Sequence, residues 1–235
     1  MKRLLSILTI LVCVTAAGKQ PKITSRPFGE LSTGESTTLY TITNRSGASM
    51  QLLDYGARIV SIMMPDRKGH NGDVVVGFGD IENFEKKDRF IGPVIGRFGN
   101  RINHAAFTLD GTRYELVANE KLGGEPVQCH GGTMGFDRFV WDAAPVKEDG
   151  RTGVKFHRVS PDGEQGFPGT MDVNVTYWLT DNNTVRVEYE ATTDKPTVVN
   201  LSNHTYFNLK GNEGGYVMDH LLQVEADTCI QNNAQ

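Results

Sequence analysis

Residues 200–209 combine several side chains that can exchange protons or bind hydroxyl groups. In an extended strand, alternation places Ser202, His204, Tyr206 and Asn208 on one side of the segment. A hydroxyl, an imidazole, a phenol and an amide are poor material for a core, yet they suit a ligand that is rich in hydroxyl groups. A solvated outer face with an incidental histidine explains the same pattern, so this segment alone leaves both interpretations open.

Two further segments carry candidate binding groups. His130 is followed by two glycines, which allow backbone to approach a ligand closely, although an ordinary glycine turn is the simpler explanation. Arg97, Asn100 and Arg101 offer donors that match sugar or carboxylate oxygens, but arginines beside glycines are also common in surface loops. The glycines do not follow dinucleotide or P-loop spacing. Neither segment defines a site by itself.

The elements that must position these residues are predicted to be β-strands. After residue 35, apolar positions recur with a period of two, and glycine, asparagine, aspartate and proline interrupt them at short intervals. Helical periodicity is weak, and only residues 81–90 support a short helix. The candidate strands are residues 38–43, 50–53, 58–64, 74–77, 154–159, 172–180, 184–190 and 221–226.

Two hairpins stand out in this pattern. The Asp110-Gly111 dipeptide separates two short alternating runs, which is typical of a tight β-turn. Residues 181–183 likewise connect two longer alternating runs. With no internal repeat, linker or domain boundary, the sequence predicts an all-β protein, an antiparallel two-sheet sandwich with one face of each sheet buried.

The first residues differ from the rest of the chain. Lys2 and Arg3 precede an apolar run over residues 4–14, and small residues follow at positions 15–17. This pattern predicts a signal peptide over residues 1–17, a secreted or periplasmic protein and one domain over residues 18–235. A transmembrane anchor is the alternative, but the run is shorter than the roughly 20 residues that cross a bilayer.

Composition excludes several classes of partner. With 24 basic and 28 acidic residues the net charge is -4, and no basic cluster is present, so nucleic acid is not an expected partner. Beyond the leader no window is apolar enough to predict a membrane span. Cys129 and Cys229 remain after the leader and lack metal-ligand spacing, so neither a disulfide framework nor a metal site is expected.

Other motifs accompany the three segments in order along the chain. They are Tyr-Gly-Ala at 55–57, Pro-Asp-Arg at 65–67, Asp-Val-Val-Val-Gly-Phe at 73–78, Gly-Arg-Phe-Gly-Asn-Arg-Ile at 96–102, His-Gly-Gly at 130–132, Gly-Phe at 135–136, Asp-Gly at 162–163, Gly-Phe-Pro-Gly at 166–169 and the segment 200–209. On these motifs the chain, from about residue 40 to its end, resembles the aldose 1-epimerase (galactose mutarotase) family.

The resemblance implies a cofactor-free enzyme on a large antiparallel β-sandwich, the galactose mutarotase-like supersandwich. Such enzymes interconvert the α and β anomers of free aldoses such as galactose or glucose. By resemblance, His204 is the general acid that protonates the ring oxygen, and His130 binds the sugar and supports that step. Asn100, Arg101 and Tyr206 are implied to contact the sugar. An imidazole, with a reference pKa of about 6.5, can hold or release a proton near neutral pH.

The chain departs from the family pattern at its end. In the family the general base is a glutamate near the C-terminus, preceded by an aspartate that binds sugar hydroxyls. This chain stops at Gln235 before either motif, so the resemblance predicts a sandwich truncated at its C-terminus and a chain that is inactive alone. Glu225 and Asp227 match the region just after the catalytic histidine in the family and are not assigned these roles.

Two other functions compete with this interpretation. A non-catalytic carbohydrate-binding pseudoenzyme would keep the donor groups without the base. A sandwich domain of a glycoside hydrolase or polysaccharide lyase is the second alternative, but a hydrolase requires a pair of carboxylates that the sequence does not identify. Hexose-6-phosphate epimerases also belong to the family, although an exported protein would rarely meet that substrate. The preferred sugar and the oligomeric state stay open.

Overall fold

The structure, a computed structural model, describes residues 20–86, 90–148 and 150–228. The predicted signal peptide therefore lies outside the described residues, as does Cys229. Cys129 is a buried free thiol. Within the described ranges, no helix is both long and apolar enough to cross a membrane.

Five antiparallel strands form the first sheet, and each pairs with the next in chain order. They are β1 (Lys22–Glu30), β2 (Ser36–Thr43), β3 (Ser49–Leu53), β4 (Arg58–Pro65) and β5 (Asn71–Asp73). The second, third and fourth strands are those that the alternation predicted. The first strand was not predicted, and its side chains are mostly exposed, so its sequence lacks the periodic apolar pattern of a half-buried strand.

Four long antiparallel strands form the second sheet, again in chain order. They are β12 (Asp142–Glu148), β13 (Arg151–Ser160), β14 (Met171–Thr180) and β15 (Val185–Thr193). The predicted hairpin at residues 181–183 connects the last two of these strands. Alternate positions of β14, among them Val173, Val175 and Tyr177, are fully buried, as the period of two requires.

The inner faces of the two sheets share one hydrophobic core, which makes the molecule a β-sandwich. Ile42, Leu52 and Ile62 from the first sheet belong to the same buried cluster as Phe156 and Val175 from the second. The all-β sandwich predicted from the sequence is therefore confirmed.

Short elements outside the two main sheets include those that carry the candidate functional residues. They are α1 (Ile81–Lys86), β6 (Val94–Ile95), β7 (Arg101–Asn103), β8 (Ala106–Leu109), β9 (Thr112–Glu115), β10 (Glu120–Leu122), β11 (Glu125–Cys129) and β16 (Ser202–Asn203). Strands β8 and β9 form the predicted Asp110-Gly111 hairpin. Strands β10, β11 and β7 form a small sheet, and β16 pairs with β6.

Two of the predicted strands are wrong. Residues 74–77 form no continuous strand, although Val75 makes an isolated bridge to Phe207. The Val74 N–H donates to the Ile62 carbonyl and the Val76 N–H to the Tyr206 carbonyl, each at 2.9 Å, so the segment changes partner within three residues and pairs too briefly with either one to form a regular strand. Residues 221–226 are irregular, and Leu221 is fully exposed. Alternation predicts a strand only where another strand pairs with it, and among the described residues none pairs with this segment.

The prediction that alternation extends along residues 200–209 is also only partly right. Regular pairing covers Ser202–Asn203, and an isolated bridge joins Phe207 to Val75. Asn208 is buried, and its Nδ2 donates to the Gly215 carbonyl at 3.0 Å, so it supports the backbone instead of lining the row with His204. Ser202 is exposed, and its hydroxyl donates to the Asn203 carbonyl at 3.5 Å.

Candidate active site

An open pocket of about 530 Å³ lies where the small sheet meets β16. This volume falls within the roughly 300–1,000 Å³ typical of small-molecule sites. The lining residues combine two imidazoles, an ion pair and aromatic rings. They are Phe90, Arg101, Asn119, Glu120, Cys129, His130, His204 and Tyr206.

His130 is held by reciprocal hydrogen bonds with Asn100. The His130 N–H donates to the Asn100 carbonyl at 2.9 Å, and the Asn100 N–H donates to His130 Nδ1 at 2.9 Å. Because Nδ1 accepts a hydrogen bond, the neutral ring carries its proton on Nε2. His130 has a φ of +52°, a left-handed conformation that is uncommon for a residue with a side chain. The backbone thus fixes both the tautomer and the direction of this imidazole.

The pocket keeps His130 in its neutral form. Burial, the neighbouring His204 and the positive charge of Arg101 together lower the pKa of His130 to about 4. At neutral pH this imidazole is therefore an uncharged hydrogen-bond donor through Nε2–H, a state suited to binding a sugar oxygen.

His204 follows β16 and is anchored through its backbone and its neighbour. Its N–H donates to the Pro93 carbonyl at 2.9 Å, and its carbonyl accepts the Gly92 N–H at 3.0 Å. The adjacent Asn203 Nδ2 donates to the Gly92 carbonyl at 2.9 Å and to the Tyr177 hydroxyl at 3.0 Å. Since Tyr177 is fully buried in the sandwich core, the fold itself fixes the segment that carries His204.

The aromatic rings of the pocket form one cluster. The His130 and His204 ring centroids are 5.0 Å apart, with the rings nearly perpendicular at 87°. Phe90 lies 4.6 Å from His130 and 5.9 Å from His204, and Tyr206 lies 5.0 Å from His204, all between ring centroids. Two imidazoles 74 residues apart in sequence therefore lie side by side in one pocket.

Arg101 and Glu120 provide the charged part of the pocket. Strand β11 pairs with β7 on one side and β10 on the other, which brings these two side chains together across the small sheet. Arg101 Nε donates to one Glu120 oxygen at 2.6 Å and Nη2 to the other at 2.9 Å. The hydrogen-bonded ion pair lowers the pKa of Glu120 and raises that of Arg101, so both stay charged at neutral pH.

The structure brings the predicted site residues together. His130, His204, Arg101 and Tyr206 line the pocket, and Asn100 lies beside it, where its Oδ1 accepts from Arg101 Nη1 at 3.3 Å. Their roles toward a sugar stay predictions.

Two details of the sequence interpretation differ from the structure. Arg97, considered with Asn100 and Arg101 as a donor, is fully buried, and its guanidinium donates to the Ser160 hydroxyl and to the Ser160, Pro161 and Pro168 carbonyls, each at 2.9 Å. It supports the scaffold. A Cβ on Gly131, whose φ is +91°, would lie 1.7 Å from the Gly96 carbonyl oxygen, so this glycine allows a close approach of backbone to backbone.

Sequence reasoning missed four lining residues, namely Phe90, Asn119, Glu120 and Cys129. The Asn119 side chain makes two hydrogen bonds to the backbone of Cys129. Its Oδ1 accepts the Cys129 N–H at 2.7 Å, and its Nδ2 donates to the Cys129 carbonyl at 2.9 Å. Glu120 follows at once on the chain and pairs with Arg101. No periodic pattern marks these positions, because Phe90 and Asn119 lie in loops, and Glu120 reaches the pocket through the pairing of β10 with β11.

An all-β sandwich with paired imidazoles, a guanidinium and a phenol in one open pocket defines a class of protein suited to acid–base chemistry on a polar small molecule. A sequence model of the family described as "Aldose 1-epimerase" matches residues 38–234. The chain belongs to the aldose 1-epimerase family.

Named relatives and solved structures agree with this assignment. The chain is 39% identical to the galactose mutarotase of Homo sapiens over 88% of this chain and 58% of that protein. It is 38% identical to the aldose 1-epimerase of Escherichia coli K12 over 83% of this chain and 54% of that protein. The chain thus spans little more than half the length of these relatives.

The fold is similar to that of a galactose 1-epimerase from Lactobacillus acidophilus. The TM-score is 0.71 at 27% identity, covering 80% of this chain and 54% of that chain. For the GalM/aldose epimerase homologue from C. elegans the TM-score is 0.66 at 34% identity, covering 74% of this chain and 51% of that chain.

Proposed function

We propose that this chain carries the sugar-binding and acid groups of an aldose 1-epimerase, which interconverts the α and β anomers of a free aldose such as galactose. The observation that carries the proposal is the His130–His204 pair, with ring centroids 5.0 Å apart in a pocket of small-molecule size.

The two imidazoles have different roles in this proposal. Ring opening requires a proton at the ring oxygen O5 while another leaves the C1 hydroxyl, so that the C1–O5 bond breaks and an aldehyde forms at C1. His204 donates the proton to O5. His130, neutral and with its proton on Nε2, binds a sugar oxygen and helps to orient the ring. Rotation about C1–C2 and closure, with both protons returned, give the other anomer.

Glu120 is poorly suited to be the base that takes the C1 hydroxyl proton. Its pairing with Arg101 lowers its pKa, and a carboxylate with a low pKa is a weak proton acceptor. Among the described residues it is the one carboxylate that lines the pocket. The proposal therefore assigns the base role to the C-terminal glutamate that the family resemblance implies.

Polarimetry of freshly dissolved α-D-galactose, with the longest product that the gene encodes, tests this function. His204→Ala is expected to lower kcat by about 10² to 10⁴, the usual contribution of a general acid, with a smaller effect on sugar affinity. His130→Ala is expected to lower both kcat and the affinity for the sugar. His70→Ala is the matched control, since His70 is largely exposed in the turn between β4 and β5.

The outcomes separate the candidate functions. If His204→Ala keeps the rate within a factor of two of wild type, the acid assignment is wrong. If the wild-type protein binds galactose without accelerating mutarotation, a carbohydrate-binding pseudoenzyme is the better description.

We also propose that residues 1–17 direct export, after which residues 18–235 belong to the secreted or periplasmic protein. The apolar run and the small residues before Gly18 support this proposal. N-terminal sequencing of the exported protein is expected to find a start within two or three residues of Ala17. Exported material that still carries Met1 would indicate an anchor instead.

A further inference from the structure

The Arg101–Glu120 pair is built into the pocket and is open to a ligand. Two hydrogen bonds of 2.6 and 2.9 Å join the guanidinium to the carboxylate. The side chains are 38% and 40% exposed, so each can contact a bound molecule. The pair lies in the pocket that also contains His130 and His204.

The register of the small sheet determines this arrangement. Cys129 on β11 lies opposite Arg101 on β7, and Glu120 on β10 lies opposite Val127, two residues before Cys129 on β11. Arg101 and Glu120 therefore approach each other over Cys129. Burial raises the pKa of the Cys129 thiol to about 11, so this neighbour adds no charge at neutral pH.

The opposite charges at this position largely cancel. Without Glu120, Arg101 would present a guanidinium to the ligand, and a guanidinium binds carboxylate or phosphate groups bidentately. In the structure, Nε and Nη2 already donate to the Glu120 carboxylate. An anionic ligand would thus compete with Glu120 for the same donors and would meet its negative charge.

We propose that Glu120 is a specificity-determining residue, which occupies the guanidinium of Arg101 and makes the pocket select neutral aldoses over sugars that carry a carboxylate or a phosphate. This inference rests on the proposed function, because it concerns the substrate class of the same site. Glu120 acts through the charge and donors of Arg101 and has no proton-transfer role.

Coulomb's law gives the size of the effect. A unit charge about 6 Å from a charged ligand changes the affinity for that ligand about threefold at the dielectric constant of water. At an effective dielectric constant near 20, the change is about a hundredfold. Because the pocket is open to solvent, we expect a value of about tenfold for removing the Glu120 charge.

D-galactose and D-galacturonate are matched probes, since they differ at C6, where a hydroxymethyl group is replaced by a carboxylate. Their dissociation constants are measured by NMR titration at pH 7.5 for wild type, Glu120→Gln and Glu120→Asp. Glu115→Gln is the control, because Glu115 pairs with Arg113 at 2.6 Å on the neighbouring hairpin and does not line the pocket. Glu120→Ser is a second variant that removes the charge, so that the result does not depend on Glu120→Gln alone. Thermal melting verifies that each variant is folded.

Wild type is expected to prefer galactose, and Glu120→Gln to shift the preference about tenfold toward galacturonate. Glu120→Asp keeps the charge and is expected to stay close to wild type, as is Glu115→Gln. If wild type binds galactose but both charge-removing variants keep its preference within a factor of two, the specificity role is wrong and the proposed function stands. If wild type binds neither sugar, the proposed function fails, and the specificity role fails with it.

Discussion

Lowering the pH from 7.5 to 5.0 is expected to destabilise the protein through His130. The folded pocket lowers the pKa of this imidazole to about 4, whereas in the unfolded chain it is about 6.5. Between these values the unfolded state binds a proton that the folded state does not. The contribution of the neutral imidazole is therefore complete above about pH 7 and is lost as the pH falls toward 4.

The two pKa values set the magnitude. At pH 5.0 they correspond to about 2 kcal/mol of lost unfolding free energy relative to pH 7.5. The pocket is open and His130 is only partly buried, so solvent screening reduces the expected loss to about 1 kcal/mol.

His130→Asn is the variant that isolates this effect. Asparagine tolerates a φ of +52° better than most residues, and its Oδ1 can accept the Asn100 N–H in place of Nδ1. Urea unfolding at both pH values is expected to show a loss that is about 1 kcal/mol smaller in the variant than in wild type. Equal losses in the two proteins, or an NMR titration that gives His130 a pKa at or above 6.5, would refute the reasoning.

Two further substitutions test how the fold supports the pocket. Asn203→Ala removes the hydrogen bonds to the Gly92 carbonyl and the Tyr177 hydroxyl, and we expect kcat to fall by up to about 10², since a displacement of about 1 Å can cost that much. An unchanged polarimetric rate would mean that strand pairing alone positions His204. Arg97→Lys cannot reproduce the buried guanidinium fork and is expected to lower the unfolding free energy by about 3 kcal/mol in urea titrations. A loss below about 0.5 kcal/mol would show that these bonds contribute little.

Much of the sandwich was predictable because its strands encode their own burial. Strand β14, for example, alternates buried and partly exposed side chains from Met171 to Val175, and both predicted hairpins have turn residues between matched runs. The segment 221–226 has a similar alternation without forming a strand. Alternation reports a preference for an extended backbone, whereas a strand also requires a partner.

The candidate site was predictable only where residue type carried the information. His130, His204 and Arg101 stand in motifs that the family resemblance identified, and the structure brings them into one pocket. Glu120 is one acidic residue among many, and its importance arises from the register of β10 on β11. Arg97 is the opposite case, a residue that the sequence marked as a candidate donor and that the structure places outside the pocket. Its proximity to Arg101 in sequence gave no sign that it would be buried against residues 160–168.

The central claim is that His130 and His204 together form the binding site of a free aldose. Ring-proton NMR signals of the histidines, followed during titration with D-galactose, test it most directly. We expect the His130 and His204 signals to shift together with one dissociation constant, while the signals of His157, which pairs with Asp172 on the second sheet, stay unchanged. Saturating galactose that shifts neither His130 nor His204 would contradict the account.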